Sequence, residues 1–419
     1  MRVAMLCAHS SPLASLGGKE AGGMNVYVRE LSRELGRAGV AVDIFTRTQD
    51  ERVPLKVDIE PGVRVVHLRA GPPVPYDKNW LIEHMPEFVS RARCFAEGED
   101  LSYDVIHSHY WLSGLAAMEL RRAWGAPMVH MFHTLGALKN RVARSDEERE
   151  TVRRVEIERR ISAEADALVA ATSRDRADLV WHTGAECAKV HTIPCGVDLR
   201  RFKPRSLGQA REALGLPPAP HRLVLLVGRI EPLKGIDALI EAVAMLHQRH
   251  PAWRETLHAL VVGGGGEGER RQWNAEQRRL HALRARLGVE QAVRFAGAQP
   301  QDRLPLYYAS ADIVTMPSHY ESFGMAALEG LACGRPVVAT SAGGPALIVE
   351  DGVSGLHTPP DDPAALADRL ERLLLDADMR EAMARAARER ATQYGWSSVA
   401  GEILSVYRSQ LERLAQRVA

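Results

Sequence analysis

From Met325 to Cys333 the chain is apolar on every helical face except at Glu329. A helix that is apolar all round is stable only inside a layered domain, so this stretch demands a fold that covers it on all sides. The Glu329 carboxylate then needs a fixed partner, because an unsatisfied buried charge costs several kcal/mol. That partner is either a ligand or a buried arginine. Two helical turns earlier stands Glu321, followed by Ser322, Phe323 and Gly324 in a small turn at the expected helix N-terminus. Outward N–H groups and the helix dipole favour an anion there, phosphate included. One acid at the mouth and a second inside read as a pocket for a molecule carrying hydroxyls and phosphate. The plainer alternative makes Glu321 a solvated N-terminal charge.

Upstream, the pattern is that of alternating strands and helices. Val3 to Ala8 forms a short apolar strand, Gly17 to Asn25 a glycine-rich loop that includes Gly22 and Gly23, and Val26 to Arg37 an amphipathic helix closed by Gly39. A second strand at Ala41 to Thr46 makes a β-α-β start and predicts a parallel sheet. Val63 to Leu68 is a third strand, and Asp104 to His109 another, which ends in ring side chains where open α/β sheets place their ligands. His107 and His109 are expected on opposite faces of that strand, and hence not to hold a metal jointly. Met128 to Phe132 is followed by His133 and Thr134, again polar groups at a strand's C-terminal end. Gly71 to Lys78 is irregular, with Lys78 either a solvated loop charge or an anion contact. Asp146 to Ala165 reads as a charged helix whose arginines, Arg154 among them, mostly face solvent.

A loose Gly/Pro-rich stretch, Ser206 to Pro220, separates two α/β series and puts a boundary near residue 203. The second series opens on the buried strand Arg222 to Gly228, which delivers Arg229 and Lys234 into the loop before a helix at Ile236 to Arg249. Two cations in such a loop suit a diphosphate, arginine as a fork and lysine as a point charge, or else they merely cap it. Gly263 to Gly268 contains G-x-G-x-x-G after His258 to Val262, but follows the series' second strand; a plain glycine loop is the expectation. An NAD-linked oxidoreductase would rest on that run alone. Asp362 to Tyr394 reads as paired helices, and Trp396 to Val418 as an amphipathic helix that docks on something large.

Composition removes other classes. With 419 residues, 46% of them hydrophobic, the chain can fill two or three cores. A net charge of +1 offers no basis for binding nucleic acid, and no apolar run approaches the roughly 20 residues that span a bilayer. Five scattered cysteines without a C-x-x-C pair indicate a reducing compartment and no structural zinc, so a cytoplasmic location is expected.

The spacing of Arg229 and Lys234, together with Glu321-x7-Glu329, resembles the retaining, nucleotide-sugar-dependent glycosyltransferases of family four. Glu20 to Val28, His107 to Gly114, His133-Thr-Leu and Pro194 to Asp198 resemble the inositol-phosphate N-acetylglucosaminyltransferases of mycothiol synthesis, while Tyr76-Asp-Lys78 and Met85 to Val89 are more similar to sucrose-phosphate synthases. The resemblance implies an α/β chain of the GT-B type: two facing Rossmann-like domains with parallel sheets and an interdomain cleft. It implies an acceptor-binding domain at 1–203, a nucleotide-sugar domain at 204–395, and a helix at 396–419 returning to the first domain. By the same resemblance Arg229 and Lys234 hold the donor diphosphate, Glu329 the ribose hydroxyls and Glu321 the transferred sugar, with Gly23, Phe323, Gly324 and Met325 on the donor side. His133 stands at the reacting centre; His9, Asn25, Lys78, Tyr110, Thr134 and Arg154 match acceptor-side positions.

The expected reaction moves a hexosyl unit from a nucleotide sugar, UDP-sugar favoured, to an inositol phosphate or a hexose phosphate such as fructose 6-phosphate. No D-x-D motif stands in a suitable loop, so no metal ligands are assigned, no cofactor is expected and a divalent ion should be dispensable. An unphosphorylated sugar or lipid acceptor, or a non-catalytic sugar-nucleotide sensor, is the alternative. A homodimer is left open.

Overall fold

The computed structural model describes residues 1–14, 22–75, 79–143, 145–268 and 270–418. The described residues divide into two units, one made of 1–14, 23–195 and 396–418, the other of Gly22 and 196–395. The passage between them comes at Cys195, earlier than position 203. The segment after Gly196 belongs with the second unit because Val197 N–H donates to the Tyr394 carbonyl, and Arg388 donates to the carbonyls of Phe202 and Ala332.

The first unit is built on eight strands: β1 Arg2–Leu6, β2 Ala41–Arg47, β3 Lys56–Glu60, β4 Val63–Leu68, β5 Val105–His109, β6 Met128–Met131, β7 Ala167–Ala170 and β8 Val190–Thr192. Their order is β3-β4-β2-β1-β5-β6-β7-β8, with only the β3/β4 edge antiparallel. Chain direction across the sheet reverses between β1 and β5, which pair in parallel from Val3/Val105 to Leu6/Ser108. The interior strands β1, β5 and β6 are buried on both faces; β1 is apolar from Val3 to Leu6, whereas β5 and β6 also bury His107, Ser108, His109 and His130. The helix Trp396–Val418 packs on the helix Gly23–Arg37 and buries Val399, Ile403, Val406 and Tyr407, so its predicted amphipathic face is covered within this unit.

The second unit carries β9 Arg222–Val227, β10 Leu257–Gly266, β11 Val293–Gly297, β12 Ile313–Met316, β13 Val337–Thr340 and β14 Gly355–Thr358. The order β11-β10-β9-β12-β13-β14 is wholly parallel and reverses direction between β9 and β12. Open α/β sheets bind ligands outside the strand C-termini at such a reversal. Each sheet therefore has one favoured edge position, β1/β5 in the first and β9/β12 in the second.

Three sequence expectations are corrected. The glycine run after Val262 is not a loop: β10 continues to Gly266, and Gly263, at φ 143°, lies where a Cβ would stand 1.9 Å from the Gly228 carbonyl oxygen. Those glycines let β10 lie close against the end of β9. The charged helix begins only at Val152, because the Thr151 hydroxyl accepts the Arg154 N–H as an N-cap. Leu207–Ala213, inside the stretch read as loose, is a short helix capped by Ser206. No helix among the described residues is long and apolar enough to cross a membrane.

Candidate active site

In the second unit the reversal point gathers the loops that follow β9 and β12. Arg229 leaves β9 and pairs with Glu231 at 2.8 Å; both are only partly covered. Lys234 ends the tight turn Pro232–Lys234, and its ammonium is ion-paired with the carboxylate of Glu321. Gly235 makes this approach workable. At φ 63° it turns the chain into the next helix, and a Cβ there would stand 2.1 Å from the Pro317 carbonyl oxygen. The His319 N–H also donates to the Leu233 carbonyl at 2.9 Å. Two sequence motifs far apart in the chain thus share one loop cluster.

The helix Met325–Ala332 starts at Gly324, whose φ of 100° brings the chain in, and buries Ala327, Leu328 and Leu331. Its first N–H groups lack intrahelical acceptors. Phe323 is buried, with its ring edge-on to Tyr394, so any ligand at this turn meets backbone before the Phe323 ring. Glu329 is buried too, and its partner is the Tyr308 hydroxyl, which donates to Oε2 at 2.7 Å. Burial pushes the Glu329 carboxyl up to about 7, against the smaller opposing pulls of the Tyr308 bond and Arg201. The buried-arginine alternative is thus replaced by a neutral hydrogen-bond donor. Sequence reasoning missed Tyr308; no spacing rule links the helix Leu304–Ser310 to Glu329.

In the first unit the same kind of edge holds the acceptor-side candidates. Past β1, the His9 ring lies 4.3 Å from the Tyr110 ring, and Asn25 Nδ2 donates to Ser10 Oγ and the Ser11 carbonyl, both at 2.7 Å. Gly23 opens the helix that carries Asn25. Past β5 and β6, Tyr110 and His133 take φ values of 73° and 60°, the left-handed region that residues other than glycine seldom enter. Two such residues at adjacent strand ends, each costing on the order of 1–3 kcal/mol, single out this edge as a candidate site.

Behind that edge lies Arg154, fully buried. Its Nε donates to Glu158 at 2.7 Å; one terminal nitrogen reaches the Tyr110 hydroxyl at 3.0 Å and Glu150 at 2.8 Å; the other reaches the Thr134 carbonyl at 3.0 Å and Oγ1 at 3.2 Å. These contacts use all five of its N–H donors. The solvated-helix reading fails for this residue: Arg154 holds Tyr110 and Thr134 in place. Burial alone would lower its pKa, but Tyr110, Glu158 and Glu150 outweigh that and raise it. Lys78 lies outside the described residues.

His107 and His109 are not on opposite faces. Residues two apart in a strand return to the same face, and their rings stand 4.3 Å apart. Each has its own partner: His107 Nδ1 shares a hydrogen bond of 2.6 Å with the Tyr407 hydroxyl, and His109 Nδ1 one of 3.0 Å with His133 Nε2. Burial drives both His107 and His133 down to about 3, with His133 adding to the effect at His107. These imidazoles are neutral near pH 7. No group of three or more His, Cys, Asp or Glu side chains among the described residues is arranged to hold a metal.

Comparison with known proteins gives the family and the fold class. Residues 21–201 match the Glycosyltransferase Family 4 model, and residues 212–390 match Glycosyl transferases group 1. D-inositol 3-phosphate glycosyltransferase 2 of Catenulispora acidiphila is 43% identical over 416 residues, which is 99% of this chain and 96% of that protein. The chain is a family-four glycosyltransferase. The D-inositol 3-phosphate glycosyltransferase of Saccharomonospora viridis is 42% identical to it, covering 98% of this glycosyltransferase and 94% of the relative. A solved sucrose-phosphate synthase from Thermosynechococcus elongatus superposes with a TM-score of 0.89 at 33% identity, over 98% and 99% of the two chains. The glycosyltransferase accordingly has the GT-B fold class, two units each built on a largely or wholly parallel sheet.

Proposed function

We propose that the enzyme transfers a hexosyl unit, with retention, from a UDP-sugar to an inositol phosphate. The observation that carries this reading is the Lys234–Glu321 pair at the β9/β12 reversal, which joins a diphosphate-type cation to a sugar-type acid in one loop cluster. The acceptor assignment is supported by relatives named for D-inositol 3-phosphate at 42–43% identity, against 33% for the sucrose-phosphate synthase.

Breaking the anomeric C–O bond leaves negative charge on the departing diphosphate. Arg229, Lys234 and the N-terminus of the helix Met325–Ala332 supply fixed positive charge and N–H donors where that charge grows. Glu321 binds hydroxyls of the transferred sugar, and Glu329 those of the ribose. Ionised Glu329 accepts such bonds better than its protonated form, so donor binding draws its proton off. Gly23 sits on the donor side. On the acceptor side, His9, Asn25, Lys78, Tyr110 and Thr134 contact the phosphorylated polyol, with Arg154 orienting Tyr110 and Thr134. His133, neutral and hydrogen-bonded to His109, contacts the sugar at the reacting centre. With two fixed cations at the diphosphate, no divalent ion is needed. We assign no carboxylate beneath the anomeric carbon, and attack by the acceptor hydroxyl on the leaving-group face accounts for retention without a covalent intermediate.

A panel of UDP-, GDP- and ADP-sugars against D-inositol 3-phosphate, fructose 6-phosphate and free inositol, read as nucleotide release, tests the assignment. Release confined to a UDP-sugar with D-inositol 3-phosphate, giving an α-linked product by NMR from an α-linked donor, is the expected result. Preference for fructose 6-phosphate or an unphosphorylated acceptor overturns the acceptor assignment, and UDP binding without release under any pairing makes the protein a sensor.

A further inference from the structure

At the opposite edge of the first sheet lies a small cavity of about 180 Å³. It is bounded by the last turn of the helix Tyr110–Trp124, the residues that lead into β6, and the late turns of the helix Trp396–Val418. Pro127 and Asp166 immediately precede β6 and β7, so the cavity sits at the strands' N-terminal ends, away from Tyr110 and His133 at their C-terminal ends.

Its lining is cationic. Arg121, Arg413 and Arg417 face one carboxylate, Asp166, which leaves a surplus of two positive charges. Asp166 is already committed: it takes two bonds from Arg121, at 2.8 and 2.9 Å, and a third from the Met128 N–H at 2.9 Å. Arg417 only approaches it, at 4.0 Å. Arg413 has no ion-pair partner among the described residues, although its charge, behind the larger effect of burial, helps depress the pKa of His191. Beside it Gln410 is 4% exposed, and its amide nitrogen has no hydrogen-bond partner among the described residues. A buried N–H left unpaired is destabilising, and a bound anion that accepts from it relieves that cost.

We propose that this cavity is a binding site for a small dianionic oxyanion of the phosphate or phosphomonoester class, separate from the active site. The surplus of two charges sets the ligand's charge, and arginine forks match tetrahedral oxyanions. The volume of about 180 Å³ admits a phosphate with a few further atoms. The ligand bridges the helix Trp396–Val418, through Gln410 and Arg413, to the helix Tyr110–Trp124, through Arg121. Occupancy therefore fastens the C-terminal helix to the first unit and raises the melting temperature.

Inorganic phosphate is the probe, titrated calorimetrically and by thermal melting against chloride at matched ionic strength. Because phosphate also enters the proposed acceptor site, wild type is compared with Arg413→Gln, Arg413→Gln/Gln410→Leu and Lys78→Ala. The expected result is a phosphate-dependent stabilisation that survives in Lys78→Ala and weakens roughly tenfold or more in Arg413→Gln, the usual scale for one lost charged hydrogen bond, with phosphate-free turnover unchanged. Wild-type phosphate affinity and melting shift in the double variant would overturn the proposal, as would complete loss of the effect in Lys78→Ala.

Discussion

Lys234 and Glu321 are ion-paired although one follows β9 and the other follows β12, the two strands between which the second sheet reverses direction. The pair is about one-fifth exposed on each side, covered enough for geometry to be fixed and open enough for a ligand to reach both groups. Each keeps the other oriented, and the proposed roles are distinct: the lysine acts on phosphate and the glutamate on sugar hydroxyls.

A double-mutant cycle follows from that relationship. Lys234→Ala and Glu321→Ala should each lower kcat/KM strongly, while the double variant loses less than the two effects summed, because either single change already disorders the partner. The interaction term should be about 0.5–3 kcal/mol, the range for residues in direct contact. Strict additivity in steady-state kinetics would show that the two side chains act independently.

Glu329 should give stability a pH dependence of definite sign. Its carboxyl titrates near 7 in the folded, ligand-free enzyme, above the ordinary value of 4.5, so between these limits the unfolded chain ionises first and unfolding releases a proton. The stabilisation is full below about pH 4.5 and is lost as pH rises through about 7, in total about 3 kcal/mol. Urea denaturation across this range should show wild type losing stability with rising pH relative to Glu329→Gln. UDP affinity should change in the opposite sense, rising through about pH 7 in wild type and flat in the variant, since ribose hydroxyls favour the carboxylate. Equal pH slopes in wild type and variant contradict the assignment.

Removing Arg154 should damage both the fold and acceptor binding. Arg154→Ala leaves Glu158 and Glu150 without the guanidinium that neutralises them, a loss of about 3–5 kcal/mol for a broken buried pair. Chemical denaturation measures that loss. Kinetics on the folded fraction should show a raised KM for the acceptor and an unchanged KM for the donor, because the lost bonds orient Tyr110 and Thr134.

Tyr407→Phe should loosen the C-terminal helix. The hydroxyl is the one partner the described structure gives His107, whose Nε2 is already buried without one, so the change strands a second ring nitrogen at about 1–3 kcal/mol. Hydrogen exchange should accelerate along Trp396–Val418 before it does so in β1 or β5.

The strand-to-helix rhythm was legible because β1 and β9 are buried on both faces and read as unbroken apolar runs. Glu321, Glu329, Arg229 and Lys234 stood out for the same reason, as charges placed where hydrophobic pattern or loop position made them conspicuous. Tyr308 could not be found that way: a tyrosine in a short helix looks like core, and only tertiary packing brings it to Glu329. Arg154 was hidden among the other charges of its helix, since a charged helical face in sequence does not reveal which of its members is turned inward. The β10 glycines were misread because a glycine run signals a loop by propensity, whereas here close approach to Gly228 keeps it extended.

Single-turnover cleavage of the donor tests most directly whether fixed cations drive the reaction. With enzyme in excess over UDP-sugar and D-inositol 3-phosphate saturating, Lys234→Ala and Arg229→Ala should each slow sugar transfer by roughly 100- to 1,000-fold, the scale of one lost transition-state donor, while UDP binding weakens far less. Transfer at the wild-type rate in both variants would contradict the account.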